Sequence, residues 1–153
     1  MTLGDPVDGQ ARHMIEDFAT FLRRFEEANT AFVNGDPSLW MPLVSHSEQS
    51  SIFGGFGGQE IGWSQIGPRY EWASEQFREL GAKVEFEYLV KHVGADTAYT
   101  VAIERCTVQH RTQPEPVPHV LRATMIFRLE AGTWKITHRH ADPLNPKSAP
   151  SGP

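Results

Sequence analysis

Apolar residues between Ala11 and Val33 fall at Met14, Phe18, Phe21, Phe25, Ala28 and Phe32, in alternating steps of three and four, with Ile15 and Leu22 widening the stripe. This spacing predicts one long amphipathic helix over 11–33. It should close at Asn34-Gly35, where glycine takes the left-handed C-terminal position. Asp36-Pro37 reads as the cap and first-turn proline of a short second helix over 37–43. Ser50 to Phe53 reads as extended, and Gly54-Gly55-Phe56-Gly57-Gly58 as the turn or bulge after it. A third helix carries Trp63, Ile66, Tyr70, Ala73, Phe77 and Leu80 on one stripe, with a kink expected at Gly67-Pro68.

Past Gly81 the period drops to two. Val84, Phe86, Tyr88 and Val90 alternate with Glu85, Glu87 and Lys91, the pattern of a half-buried strand. Further strands are expected over 96–110, 119–130 and 133–140, the last two joined by the tight Ala131-Gly132 turn. A helical half followed by long strands predicts an α+β fold with the N-terminal helices packed on a curved antiparallel sheet. Simple alternation from that turn sets Leu129 opposite Trp134, Phe127 opposite Ile136, Met125 opposite His138 and Ala123 opposite His140. The other side then carries Arg122, Thr124, Ile126 and Arg128 with Lys135, Thr137 and Arg139, a basic face for solvent or a partner subunit.

A length of 153 residues fits one domain. Its expected extent is 11–142, between a flexible N-terminus over 1–10 and a disordered Pro-rich tail over 143–153. Nineteen acidic against fourteen basic residues give a formal charge of -5, which argues against nucleic acid as a partner. No stretch approaches the roughly 18 apolar residues of a membrane span. The opening MTLGDPVDGQAR has neither the basic nor the apolar region of a secretory signal, so the chain is expected in the cytoplasm, away from membranes. The lone cysteine, Cys106, reads as a small buried hydrophobe. The glycine run lacks the lysine and serine or threonine of a nucleotide loop.

Three residues carry candidate proton chemistry. His138 and His140, two apart on a strand, project the same way about 7 Å apart, either as a catalytic pair or as histidines held by backbone or water. Glu104 interrupts the apolar run YTVAIERCTV, where a half-buried carboxyl needs a partner or an upward pKa shift. Both parities of that strand are mostly apolar, so Glu104 either faces a pocket or makes a solvent salt bridge with Arg122 or Arg105. His-x-His with a carboxylate also matches zinc ligand types, but it is the only such cluster and no metal is assigned. Trp40, Trp63, Tyr70 and Met125 are the candidate ligand-contacting walls.

Three segments carry a family resemblance: Ser51-Ile-Phe-Gly-Gly-Phe-Gly-Gly with Gly62-Trp63, Leu121-Arg-Ala-Thr with Phe127-Arg128, and Trp134-Lys-Ile-Thr-His-Arg-His-Ala-Asp142. With the order of elements, these make residues 11–142 resemble the SnoaL-like families of the nuclear transport factor 2-like, cystatin-like superfamily. The resemblance implies a cone-shaped α+β barrel with a pocket at its open end, commonly in a homodimer joined through sheet surfaces. It also implies that Glu104, His138 and His140 point into that pocket. Such relatives include cofactor-free isomerases, cyclases and dehydratases, and the non-catalytic association domain of a kinase. The expectation is a cofactor-free, homodimeric protein that binds a small, partly apolar molecule and performs proton transfer on it. The alternative is a binding or dimerisation module without catalysis.

Overall fold

The computed structural model describes residues 15–149; the expected flexible N-terminus and the last four residues of the tail lie outside them. Helix α1 spans Phe18–Phe32, capped by Asp17, whose carboxylate accepts from the Thr20 amide at 3.2 Å. It buries Phe18, Phe21, Leu22, Phe25 and Ala28, as the stripe requires. Ile15, expected on that stripe, precedes the cap and is 57% exposed. The helix ends at Val33, and Gly35 follows with φ +92°. The expected helix over 37–43 is a turn followed by one 3-10 turn, Met41–Leu43, that tucks Trp40 and Leu43 into the core.

Strands β1 (Ser51–Phe53) and β2 (Glu60–Ile61) flank the glycine run, and helix α2 spans Trp63–Glu75 with Pro68 inside it. The α2 stripe stops short of expectation: Phe77 belongs to the short strand β3 (Phe77–Arg78), and Leu80 is exposed. Four long strands follow: β4 (Glu85–Val93), β5 (Thr97–His110), β6 (Val117–Glu130) and β7 (Thr133–Pro143). The sheet order is β2-β1-β7-β6-β5-β3, with β4 also on β5. The pairings are antiparallel except β1 with β7, so the curved sheet is mixed rather than wholly antiparallel.

The turn between β6 and β7 has Ala131 at φ 50° and Gly132 at φ 80°, and the hairpin begins in the expected register, Leu129 opposite Trp134 and Phe127 opposite Ile136. One step further the register breaks. Ile126 pairs with His138, leaving Thr137 without a partner on β6, so Met125 faces Arg139, Thr124 faces His140 and Ala123 faces Ala141. Thr137 is the extra residue of a β-bulge, and every side chain after it changes face. The expected pairings of Met125 with His138 and Ala123 with His140 are therefore overturned. Thr137 and Arg139, expected on the basic outer face, are both buried.

The core lies between the sheet's concave face and the two helices. Phe127 takes Phe18, Phe21 and Phe25 edge-on, with ring centroids 5.3, 5.5 and 5.7 Å away.

Candidate functional site

Beside this core, lined by residues of α1, α2, β5, β6 and β7, the structure holds a cavity of about 70 Å³. Its apolar walls come from Phe32, Phe77, Val84 and Leu121, and Gly54, Gly55 and Phe56 of the glycine run close one side. Arg69 of α2 steadies that run, donating to the carbonyls of Phe56 and Gly57 at 3.3 Å while its Nε lies 3.4 Å from Glu60.

The cavity's charged floor is a buried pair. Arg139 donates from Nη1 to Glu104 Oε2 at 2.9 Å and from Nη2 to Oε1 at 2.8 Å, and Asn29 of α1 adds a third bond to Oε1 at 3.1 Å. Glu104 lies on the inward parity of β5 with Ala98, Thr100 and Ala102, and the bulge brings Arg139 to the same side. Burial acts to raise the Glu104 pKa, but the Arg139 charge and the hydrogen bonds from Arg139 and Asn29 outweigh it, so the carboxyl is held below its usual range. Burial likewise acts to lower the Arg139 pKa, and Glu104 more than reverses it. The pair is thus a bidentate carboxylate–guanidinium clamp, with Met125 Sδ 3.4 Å from Nη1 beneath it. Glu104 takes Arg139 as its partner, rather than Arg122 or Arg105, which are bound to Asp142 and Glu87.

Trp40 and Tyr70 line the cavity, with ring centroids 5.7 Å apart at 75°, and Arg139 lies over the Trp40 ring. Both are buried, and neither the indole Nε1 nor the phenol oxygen has a hydrogen-bond partner among the described residues. Burial pushes the Tyr70 pKa up to about 12, so the phenol keeps its proton. Opposite them stands His119 on β6, which the sequence reading passed over. Burial, with the neighbouring His110 and Arg139, lowers its pKa to about 4, so the imidazole is neutral near pH 7. Its parity with Leu121, Ala123, Met125 and Phe127 was the available signal, since that register places those residues inward. Cys106 also lines the cavity, its thiol pushed up to about 11 by burial and by Glu104, and donating to the His119 carbonyl.

The expectation that both final-strand imidazoles look into the hollow is corrected. His138 and His140 lie on the sheet's outer side, where Phe53 meets each ring edge-on at 5.3 Å and Ser51 Oγ bonds His138 Nδ1 at 2.7 Å. Burial first, then the charge of His140, lowers the His138 pKa. His140 lies 3.9 Å from Asp142 and is half exposed. Trp63 stacks on His46 at 3.6 Å and does not line the cavity, and Met125 touches it only through Arg139. Among the described residues no cluster of three or more His, Cys, Asp or Glu is placed to hold a metal ion.

Residues 22–145, which include Glu104, Arg139, His119, Trp40 and Tyr70, match the model of the SnoaL-like domain. The chain belongs to the SnoaL-like family. Solved structures give this family member its setting. It is similar to a nuclear transport factor 2-like superfamily protein from Salmonella enterica, with TM-score 0.69, 20% identity, and 89% of this chain and 99% of that one covered. It is similar also to a ketosteroid isomerase-like protein from Erwinia carotovora, with TM-score 0.68, 15% identity and coverages of 86% and 98%. A third is described as a candidate calcium/calmodulin-dependent protein kinase type II association domain from Thiobacillus denitrificans, with TM-score 0.65, 16% identity and coverages of 80% and 93%. No curated protein matches the chain. At these identities the likeness is one of fold, the cone-shaped α+β fold of the superfamily.

Proposed function

We propose that this SnoaL-like protein binds a small, partly apolar organic molecule in the cavity between α1, α2 and the sheet, without a cofactor. The observation that carries the reading is a charged pair, joined by two hydrogen bonds and buried, in the wall of an aromatic-lined hollow. Hydrophobic residues of similar volume would serve folding as well or better, so a retained ion pair here fits a site that orients a ligand. Glu104 acts as the positioning residue for Arg139; bound on both oxygens by a guanidinium, its carboxylate is a weak proton acceptor. His119, neutral and against the ligand space, is the group on which proton transfer would run, in keeping with the isomerase- and dehydratase-like names among similar folds. His138 and His140 serve the outer face instead.

Fluorobenzene tests the reading, because it needs only apolar room. Titrated into the labelled full chain, it should shift amides around Tyr70, His119 and Leu121. An Ala73→Phe variant, which fills the cavity, should abolish those shifts while leaving the rest of the spectrum in place. Shifts scattered over the surface, or none at millimolar concentration, would overturn the proposal.

A second reading rests on a separate observation, two rows on the sheet's outer face in which exposed apolar side chains alternate with imidazoles and hydroxyls. His92, Tyr99, Ile126, His138 and Ser51 align across β4, β5, β6, β7 and β1, and Val90, Val101, Thr124, His140 and Phe53 align in the next row. Tyr99, Ile126, Val90 and Phe53 are each exposed by more than a third. This face suits self-association, and we propose a homodimer joined there.

A further inference from the structure

The cavity contains two hydrogen-bond donors that folding leaves unanswered. The Trp40 indole N–H and the Tyr70 hydroxyl sit on residues more than nine-tenths buried, and each lacks a partner among the described residues. An unmet buried donor is costly, so native proteins rarely keep two side by side without a use for them. They cannot answer each other. The indole N–H lies near enough to the Tyr70 oxygen to pull its pKa down somewhat, yet short of hydrogen-bond geometry. Were that bond to close, the phenolic proton would still have no acceptor, because Trp offers a donor only.

Two other groups of the cavity can accept, a ring nitrogen of neutral His119 and the side-chain oxygen of Asn29, but neither bonds Trp40 or Tyr70; the rest supply no free acceptor. The Glu104 carboxylate is engaged by Arg139 on both oxygens and by Asn29 on one. The Cys106 thiol donates to the His119 carbonyl. Arg69 and Arg139 bring only donors, and Glu60, the counter-ion of Arg69, does not line the cavity. What the hollow lacks is an acceptor oxygen next to Trp40 and Tyr70, with the Arg139 guanidinium 5.6 Å from the Trp40 ring.

We propose that Trp40 and Tyr70 form a subsite for an sp² oxygen, so that the ligand carries a carbonyl or carboxylate group on a compact apolar body. The proposal rests on the cavity being a ligand site, and it adds which end of the ligand goes where. The oxygen accepts from the indole N–H and the phenol O–H, while the apolar body lies against Phe32, Phe77 and Leu121. In a dry recess two such bonds fix orientation as well as affinity, and a ligand without the oxygen leaves both donors unpaired.

The test compares three monosubstituted benzenes on the full chain: fluorobenzene, acetophenone and benzoate. Each hydrogen bond gained is worth roughly five- to tenfold in affinity, so acetophenone or benzoate should bind at least about tenfold more tightly than fluorobenzene. Preference between those two identifies the oxygen as carbonyl or carboxylate. Tyr70→Phe removes one hydroxyl from an otherwise unchanged ring. It should cut the oxygen-bearing probe's affinity by about five- to tenfold and leave fluorobenzene unchanged. Trp40→Phe should act the same way on the other donor. Equal binding of all three probes, or no loss in Tyr70→Phe, would refute the subsite while the cavity stands as a binding site. If fluorobenzene does not bind either, both ideas fall together.

Discussion

His119 is held neutral by its surroundings, and this has a consequence for stability. Its pKa falls from 6.5 to about 4 on folding, mainly through burial, so between those values the unfolded chain binds the proton more readily than the folded one. Stability is therefore full above pH 6.5, declines as pH drops through that window, and loses roughly 3 kcal/mol by about pH 4. Urea midpoints measured from pH 7 to pH 4.5 should fall steeply in the parent protein and more gently in His119→Gln, with a residual slope from His138, whose pKa is lowered in the same sense. Equal slopes would show that another group carries the acid sensitivity. Glu104 acts lower still: its depressed pKa gives stability that is present above its unfolded value, near pH 4.5, and goes as pH falls through the folded one. Glu104 stood out in the sequence because a carboxyl in an apolar strand is costly without a partner. Arg139 did not, because an arginine two residues from the Thr137 hydroxyl on an expected solvent face looks ordinary. Only the clamp makes sense of it, and a single sequence contains no term for a pair 35 residues apart.

Among the elements, periodicity carried α1, the switch to strands and the Ala131-Gly132 turn, because each expresses a local repeat or a local backbone demand. It failed where tertiary pairing decides. The parallel bond of β1 to β7 has no local signature, and the bulge is cued only by Ala141 breaking the parity of Trp134 and Ile136. Gly35 shows a turn that packing makes obligatory. At φ +92° it is left-handed, and a methyl group there would stand 2.8 Å from the Phe77 carbonyl oxygen, on the strand that walls the cavity. Gly35→Ala should therefore cost about 2 kcal/mol or more, read as a lowered denaturant midpoint. A change within about 0.5 kcal/mol would mean that the α1 terminus and β3 move apart freely.

At the scale of the whole molecule, the same sheet presents a buried face to the helices and, to its surroundings, an outer face on which exposed apolar side chains stand among imidazoles and arginines. Ile126 sits centrally in the outer row, paired with Tyr99 on one side and His138 on the other. Replacing it with Arg, between the existing Arg122 and Arg128, should convert the proposed dimer to monomer in light scattering without altering fluorobenzene shifts in the cavity. A parent chain that is already monomeric at tens of micromolar would remove the dimer from the account. The unpaired Thr137 joins the two faces more closely than their separation suggests. Slipping the register by one residue, so that Thr137 pairs with Ile126, would return β7 to plain alternation, swinging imidazoles into the hollow and the guanidinium out of it, and leaving Glu104 a stranded anion. A single step of register thus stands between an arginine-floored chamber and a histidine-floored one on the same scaffold, a short route by which such a cone could trade one chemistry for another.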